Sequence, residues 1–277
     1  MAKGIISLDI KQINRLRHPY ERTLYVICAV LNTVLVMLLL FGLILLWETV
    51  AKSAYLQNLY ITVVMLFVAA FYSMGTTFAQ TRVYSVRVNR EQFPLLYEMV
   101  EKHAETLQLP SVPGIYIRQE NGVLNAFAAY FWGRNYVKVN TEIIETGFLE
   151  HKDLDAVSFV IGHELAHICL HHTRFWYNSG ILLAKVIPIL GTALSRAQEY
   201  SCDRIAAELC PDGRHGLFLL LLGKHLYKNI NVEQYLLQAE NTKGWFEFFV
   251  NINATHPVDT RRVLAVYKPE KRGGIIF

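Results

Sequence analysis

The sequence predicts an α+β fold, in which a mainly helical domain with a small β-sheet is preceded by two transmembrane helices. Residues 24–47 and 59–80 are apolar and contain no charged side chain. The rest of the chain combines helical apolar periodicity with three short strand-like segments, which is typical of helices packed around a small sheet. Of the 277 residues 53% are hydrophobic, 18% are charged and four are cysteines. This composition excludes a disordered chain and a disulfide scaffold.

Both apolar segments are long enough to cross a bilayer. As helices they would measure about 36 and 33 Å, against a hydrocarbon core of about 30 Å. Trp47, Tyr55 and Tyr60 lie at or between their ends, where interfacial aromatic residues are common. The alternative of two buried core helices is weaker, because core helices rarely exceed about 18 residues without a charge. A signal peptide is also disfavoured, since the first segment is too long and starts about two dozen residues into the chain.

The distribution of basic residues predicts the orientation in the membrane. Basic residues flank the two spans on their outer sides, whereas the connecting loop contains Lys52 beside Glu48. The positive-inside rule therefore places residues 1–23 and the domain of residues 81–277 in the cytoplasm, with a two-helix transmembrane hairpin over residues 24–80. The net charge of +4 is spread along the chain, so nucleic-acid binding has no support. The flanking basic residues are Lys3, Lys11, Arg15, Arg17 and Arg22 before the first span, and Arg82, Arg87 and Arg90 after the second.

The elements of the domain follow from periodicity and from helix-ending residues. A helix is expected over residues 92–109, followed by strands over 115–118, 123–131 and 136–140 with a turn at 133–135, and by a short helix over 141–146. A long helix is expected over 153–172. The next helix is expected to begin at Ser195, with Gln198 completing a capping box, and to end at Pro211. Residues 216–227 are predicted as a core helix.

The segment His163-Glu164-Leu165-Ala166-His167 lies in the middle of the long helix. Residues four positions apart share a helix face, so both imidazoles can bind a single Zn²⁺. Glu164 is placed to act as a general base on a water bound to the zinc, which is the chemistry of peptide hydrolysis. Two solvent-facing histidines are the alternative, but the helix is strongly apolar on both sides of the motif.

A catalytic zinc needs a third protein ligand and an open position for water. The sixth residue after the motif is Thr173, and the nearby His171 and His172 cannot easily complete a tetrahedron from the same helix. Glu199 is the better candidate. Asp203 shares its helix face and is expected to accept a hydrogen bond from a ligand imidazole. The alternative for both acidic residues is an exposed acidic face.

A third apolar stretch, residues 175–194, separates the motif from Glu199 and is interrupted by Lys185 and Pro188. A single crossing of the bilayer would place His167 and Glu199 about 30 Å apart, on opposite sides. Ligands of one zinc must lie within a few ångströms of each other. The stretch is therefore predicted to form a buried or membrane-dipping hairpin, or to pack on the first two spans.

With these residues placed, residues 91–262 resemble the HtpX-type family of membrane zinc peptidases, gluzincins related to the CAAX prenyl proteases and the OMA-type proteases. The resemblance consists of four sequence blocks in the family's order. They are Asn125-Ala126-Phe127-Ala128, the HExxH motif, an ExxxD motif formed by Glu199 and Asp203, and Thr255-His256-Pro257 followed by Arg262.

The resemblance implies one Zn²⁺ per chain, a gluzincin-type metallopeptidase domain and a role for each block. His256 would stabilise the oxyanion, and Asn125 would contact substrate or intermediate beside an edge strand that binds an extended peptide. Arg262 would orient this region by pairing with a carboxylate near the zinc. The segment between HExxH and Glu199 is shorter than in members with two further spans there, so two spans are expected here.

Together these features predict a membrane-anchored zinc-dependent endopeptidase with Glu164 as general base, acting in membrane protein quality control or processing. Its expected partners are a polypeptide substrate and the lipid bilayer. Two alternatives remain: a processing peptidase of narrow specificity, and a non-catalytic scaffold with four zinc ligands, to which His171 would contribute. The short chain and the lack of a transit peptide favour a bacterial plasma membrane.

Overall fold

The computed structural model describes residues 7–275, so Lys3 lies outside the described residues. The chain is mostly helical with one small sheet, which confirms the predicted fold class. The helices are α1 (Ile10–Leu16), α2 (Glu21–Leu45), α3 (Trp47–Lys52), α4 (Ala54–Val83), α5 (Pro94–Thr106), α6 (Thr141–Glu145), α7 (Leu154–Cys169), α8 (Phe175–Ser179), α9 (Leu190–Leu209), α10 (Gly216–Leu222), α11 (Val232–Asn241), α12 (Trp245–Asn253) and α13 (Asp259–Tyr267). The strands are β1 (Val86–Arg87), β2 (Gly114–Arg118), β3 (Ala126–Phe131) and β4 (Arg134–Asn140).

Helices α2 and α4 are the two described helices that are long and apolar enough to cross a membrane. In the most apolar 18 residues of α2 only 11% are buried within the protein, and in the corresponding part of α4 none are. These helices are therefore not core helices of the domain, and their apolar side chains are left for lipid. The short helix α3 connects them.

The sheet has the strand order β1-β2-β4-β3, so β3 is an edge strand. The inner pair β2 and β4 is parallel, and β3 returns antiparallel to β4. The predicted turn at residues 133–135 starts one residue too late and ends two residues too late. The turn residues are Trp132 and Gly133, which both have positive φ (47° and 82°), as the tight two-residue hairpin turn with matching twist requires. Arg134 and Asn135 consequently belong to β4.

Helix α7 lies at the centre of the domain. It packs against α9 and β3, and most of its residues are buried. The main core between the sheet and helices α5, α7 and α9 also takes in Leu8 and Ile13, so the segment before the first span is part of the domain's packing. This burial on all sides fixes the position of the helix that carries the HExxH motif.

Several predicted helix boundaries are wrong. Helix α9 begins at Leu190, so Ser195 lies inside the helix and forms no capping box. The Gln198 side chain instead donates a hydrogen bond to the Tyr177 hydroxyl. Helix α7 ends at Cys169, because His171 has a left-handed backbone (φ 67°) that cannot continue an α-helix. The predicted core helix over residues 216–227 is likewise shorter and ends at Leu222.

The third apolar stretch does not form a helix that could cross the bilayer. Helix α8 is one turn long, a 3₁₀ turn follows at Ala184–Val186, and the chain then enters α9. The stretch packs against α2 in a cluster that contains Cys28 and Ile181. Asn32 of α2 accepts a hydrogen bond from the Leu183 backbone N–H at 2.9 Å, which fixes the stretch beside the first span.

Candidate metal centre

Helix α7 presents both histidines of the HExxH motif toward α9. The helix begins after Asp153, whose carboxylate accepts a hydrogen bond from the Ala156 backbone N–H and caps the first turn. One turn separates the two histidines, and their Nε2 atoms lie 3.2 Å apart. The i, i+4 spacing therefore brings the two imidazoles together as the sequence predicts.

Glu199 of α9 completes a group of three donor side chains. Its Oε2 lies 3.4 Å from His163 Nε2, and its Oε1 lies 3.4 Å from His167 Nε2. In a tetrahedral zinc site with bonds of about 2.0–2.1 Å, the ligand atoms are about 3.3–3.4 Å apart. The three side chains thus already have the mutual spacing of ligands to one ion.

The electrostatics of this group also suit a cation. Burial alone would lower the pKa of His163, but the carboxylates of Asp203 and Glu199 outweigh it and raise that pKa. Burial alone would raise the pKa of Glu199, but its contacts with the three histidines His163, His167 and His256 hold it well below its usual range. A position where buried carboxylates favour positive charge is a position that favours a metal cation.

Asp203 lies one turn after Glu199 and is fully buried. Its Oδ1 is 2.8 Å from His163 Nδ1, on the side of the ring away from Glu199. Arg262 of α13 pairs with the same carboxylate in a bidentate arrangement, at 2.6 and 2.8 Å. The interpretation of Glu199 and Asp203 as an exposed acidic face is therefore wrong.

Glu164 is buried beside the two histidines. Its side chain forms no hydrogen bond or ion pair with any residue in the described range 7–275. The carboxylate is thus left available to exchange a proton with a substrate or a water.

His256 reaches the group from the loop between α12 and α13. Its Nδ1 lies 3.1 Å from Glu199 Oε2, while 65% of its side chain is exposed to solvent. The contact with Glu199 raises the pKa of His256. Because Nδ1 faces the carboxylate, Nε2 is the ring nitrogen left for a ligand.

Asn125 is the residue immediately before edge strand β3, and it is exposed. Its backbone carbonyl accepts a hydrogen bond from the Asn140 backbone N–H at 2.9 Å, which extends the β3–β4 pairing by one residue. No hydrogen bond within the described chain joins its side chain to the group formed by His163, His167 and Glu199. Asn125 therefore stands on the strand that packs on α7 and not within the group itself.

His172 also contacts the group, a contact that the sequence analysis missed. Its Nδ1 lies 3.1 Å from His167 Nδ1, and its Nε2 lies 3.2 Å from Glu21 Oε1. Burial lowers the pKa of His172 to about 4, so the imidazole is neutral at pH 7. The sequence pattern points to His172 only as a possible metal ligand, and it does not point to Glu21. A carboxylate at the start of an apolar span is the one sequence signal that could have pointed to it.

Comparison with known proteins identifies the family of this fold and site. The sequence profile described as Peptidase family M48 matches residues 90–270, about two thirds of the chain. A protease HtpX homolog of Streptococcus gordonii is 27% identical over 135 residues, covering 49% of this chain and 43% of the relative. A protease HtpX homolog of Methanopyrus kandleri is 28% identical over 144 residues, covering 40% of this chain and 45% of the relative. These matches thus span less than half the length of either relative. No solved structure matches the chain.

The matched region contains α7, α9, the edge strand and the loop that carries His256. The HtpX-type resemblance predicted from the four sequence blocks is confirmed. This chain belongs to peptidase family M48, a family of metallopeptidases.

Proposed function

We propose that this chain is a membrane-anchored, zinc-dependent endopeptidase, in which His163, His167 and Glu199 hold one Zn²⁺ per chain. The observation that supports it best is the spacing of the three donor side chains: the two Nε2 atoms are 3.2 Å apart, and each lies 3.4 Å from one oxygen of the Glu199 carboxylate. Two imidazoles and one carboxylate form the ligand set of a catalytic zinc with an open fourth position. When bound, zinc polarises the scissile carbonyl and makes a water acidic enough to attack it near neutral pH.

Glu164 is the proposed general base. Its carboxylate accepts a proton from the attacking water and then delivers it to the leaving amine. The lack of a hydrogen bond or ion pair to its side chain among residues 7–275 supports this role, because a carboxylate already engaged in a salt bridge is a weaker base.

His256 is proposed to donate a hydrogen bond to the oxyanion that develops on the scissile carbonyl. Its Nδ1 is held by Glu199, and its solvent-facing Nε2 can donate to a bound substrate. Arg262 holds Asp203, and Asp203 in turn holds His163 Nδ1, so this pair orients one ligand ring. Both roles follow the family resemblance and agree with these contacts.

The substrate is proposed to be an extended polypeptide bound along edge strand β3, beginning near Asn125. An edge strand offers unpaired backbone groups to which a peptide can add as a further strand. The two apolar helices anchor the protein in the bilayer, with the domain of residues 81–277 and the segment of residues 1–23 on the cytoplasmic side of a bacterial plasma membrane. Quality control or processing of membrane proteins is the role that suits such a site.

A zinc-binding scaffold without activity would need a fourth protein ligand. Within the described chain, the group around Glu199 contains three donor residues, and His171 is exposed and belongs to no candidate metal group. These observations favour the peptidase. A processing peptidase of narrow specificity would use the same chemistry, and only its range of substrates would distinguish it.

Glu164→Gln tests the proposed function. We expect the purified variant to retain one zinc per chain while cleavage of casein falls by about 10²–10⁴-fold, because the amide cannot accept the proton. Glu233→Gln, a substitution of an exposed carboxylate on α11, serves as the control and should cleave casein normally. Unimpaired cleavage by Glu164→Gln would refute the role of the base. Cleavage of one membrane protein but not of casein by the wild type would favour the narrow-specificity alternative.

A further inference from the structure

The two histidines of the HExxH motif have different environments at their outer nitrogens. His163 Nδ1 faces the Asp203 carboxylate directly, at 2.8 Å. His167 Nδ1 faces another imidazole, that of His172, with the two Nδ1 atoms 3.1 Å apart. A carboxylate next to a ligand imidazole fixes which ring nitrogen carries the proton. Among residues 7–275 no carboxylate faces His167 Nδ1 directly, so the tautomer of His167 must be set in another way.

A carboxylate lies on the far side of His172. Glu21 Oε1 is 3.2 Å from His172 Nε2, and Glu21 is only 1% exposed. The Ser201 hydroxyl donates a hydrogen bond to the other oxygen of Glu21, and Arg17 forms an ion pair with Glu21 at 3.1 Å. Glu21 is the first residue of α2, so the carboxylate belongs to the first membrane-spanning helix.

The contacts define where the protons lie along this chain of three side chains. An ionised carboxylate can only accept, so the proton on His172 is at Nε2, facing Glu21. The Nδ1 atoms of His172 and His167 lie 3.1 Å apart and can share only one proton, so with the His172 proton at Nε2 the lone pair is at His172 Nδ1. Because two facing nitrogens form a hydrogen bond only if one of them carries the proton, His167 must donate from Nδ1. His167 Nε2 is therefore left with its lone pair directed at Glu199 and His163. With the reverse order, Nε2 would carry a proton and could not bind a cation.

We propose that Glu21 and His172 form a positioning relay that fixes the tautomer and the ring orientation of His167 for metal binding, so that the first membrane-spanning helix is a structural part of the metal centre. The inference rests on the proposed function, because it takes His163, His167 and Glu199 as the metal ligands. The two ligand histidines are then oriented by two different parts of the chain. Asp203 of α9 holds His163 directly, and Glu21 of α2 holds His167 through one intervening imidazole.

A different use of the same residues is a second metal group formed by His167, His172 and Cys202. The Cys202 Sγ lies 3.7 Å from His172 Nδ1. Such a group would use His167 Nδ1 as a ligand while Nε2 serves the first ion, so the ring would have to lose both protons. The relay requires only a neutral ring, and the two arrangements differ in stoichiometry. The relay predicts one zinc per chain, whereas the second group predicts two.

The test measures zinc affinity and ligand geometry in the full-length, detergent-purified protein. Zinc dissociation constants are obtained by competition with a chromophoric chelator, and the visible absorption of the Co²⁺-substituted protein reports the ligand geometry. We expect His172→Phe to weaken zinc binding by about 10–100-fold and to change the Co²⁺ spectrum, because His167 Nδ1 loses its acceptor. Glu21→Leu should weaken zinc binding in the same direction. His172→Asn should restore part of the affinity, since its side-chain oxygen can accept from His167.

His103→Phe is the matched control. His103 is another buried histidine, whose Nε2 lies 2.8 Å from the hydroxyl of Ser158 on α7, but it contacts none of the three ligands. It should lower the melting temperature without changing zinc affinity or the Co²⁺ spectrum. If His172→Phe does not fold, the comparison of His172→Asn and Glu21→Leu with the wild type provides the same test.

The relay would be overturned if folded His172→Phe or Glu21→Leu bound zinc like the wild type, or if His103→Phe weakened binding equally. Two zinc ions per wild-type chain, one of them lost in Cys202→Ala, would also overturn it. Failure of the proposed function gives a different result. In that case the wild-type protein would not bind one zinc per chain, or His163→Ala would still bind it.

Discussion

Asp203 and Arg262 form a buried ion pair directly behind His163. The bidentate contact at 2.6 and 2.8 Å offsets the cost of taking both charges out of water. Such a pair adds little stability compared with apolar residues of the same volume, but removal of one partner leaves an uncompensated charge in the core. The pair therefore matters most for holding the Asp203 carboxylate in place beside a ligand imidazole.

Arg262→Met should expose this dependence. We expect a loss of about 3–5 kcal/mol of folding stability, because the carboxylate stays buried without its partner. Thermal melting followed by circular dichroism measures the effect. Arg90→Met serves as the control, since Arg90 pairs with Glu101 at the surface and its loss should leave the melting temperature nearly unchanged. Equal melting temperatures for Arg262→Met and the wild type would contradict this account of the pair.

At the residue scale, the sequence allowed the site residues to be proposed but not the side chains that support His167. Residues at i and i+4 of a helix must share a face, so His163 and His167 could be paired from spacing alone. Glu199 was the better candidate for the third ligand from its position alone, with Asp203 on the same helix face. The ExxxD motif of the family resemblance strengthened the choice of both residues. Glu21 stands out in the sequence only as a carboxylate at the start of an apolar span, and no local pattern links it to His172, 151 positions later.

Among the elements, helix α7 is stabilised at its N-terminus by Asp153. The Asp153 carboxylate caps the helix and also accepts hydrogen bonds from the Tyr227 hydroxyl at 2.8 Å and from His215 at 2.9 Å. Burial alone would raise the pKa of Asp153, but these hydrogen bonds and that from the Ala156 N–H outweigh it and lower the pKa to about 2. The folded protein thus favours the ionised carboxylate more than the unfolded chain does.

This shift predicts a pH dependence of stability. A depressed carboxyl pKa contributes stability above the unfolded value of about 4, and that stability is lost as the pH falls through about 2. Asp153→Asn retains a capping oxygen but removes the charge, so we expect it to be less stable by about 1–2 kcal/mol at pH 7. The difference should shrink between pH 4 and pH 2.

Thermal melting of both proteins between pH 7 and pH 2, with a chelator present so that metal loss does not contribute, measures this difference. Asp153→Ala is the companion variant, because it removes the cap together with the charge and should stay less stable at low pH. A gap between wild type and Asp153→Asn that did not change with pH would show that the carboxylate charge does not stabilise the cap.

The stretch between α7 and α9 is predicted to lie within the membrane. Asn32 is eight residues past the predicted start of the first span, which is about 12 Å along the helix. At that position its side chain accepts a hydrogen bond from the Leu183 backbone N–H in the stretch. A buried asparagine in a span needs such partners. The side chains of Trp176 and Val186 are 81% and 78% exposed, and both are apolar. Exposed apolar side chains such as these are expected to contact lipid.

A nitroxide spin label at Val186→Cys tests this depth in proteoliposomes. We expect the label to be more accessible to oxygen, which partitions into lipid, than to a water-soluble nickel chelate. A label at Glu233→Cys, exposed on α11, is the control and should show the opposite preference. Greater accessibility of the Val186 label to the nickel chelate would place the stretch in water.

The elements show where sequence patterns stop being informative. Two long apolar helices and the order of the predicted strands and helices between residues 92 and 222 follow from length and periodicity, and the structure contains them. Strand β1 and helices α11, α12 and α13 were not predicted. The start of α9 was missed because its first turn, Leu190–Leu194, belongs by composition to the apolar stretch before it. Ile189, the residue before α9, has a positive φ (71°), which marks the true boundary but is unexpected for a β-branched residue.

In the molecule as a whole, the segment before the first span and the metal centre are parts of one structure. Leu8 and Ile13 are buried in the main core, and the His18 backbone N–H donates to the Ser201 hydroxyl at 2.8 Å. Ser201 lies on α9 between Glu199 and Asp203, so the N-terminal segment packs on the helix that provides the third proposed ligand. The membrane hairpin is therefore inserted into the fold after this segment, and it is more than an anchor attached to a finished domain.

This arrangement predicts that residues 81–277 alone are a weakened domain. Burial of Leu8 and Ile13 stabilises the fold by about 1.5–3 kcal/mol each, and Glu21 is lost with them. A chain in which residues 1–23 are joined to residues 81–277 by a flexible Gly/Ser linker should melt at a higher temperature and bind zinc more tightly than residues 81–277 alone. The same linked chain with Leu8→Ala and Ile13→Ala should lose the thermal gain but keep Glu21 and part of the zinc affinity. Equal melting temperatures and zinc affinities for all three chains would mean that residues 1–23 do not stabilise the domain or its metal site.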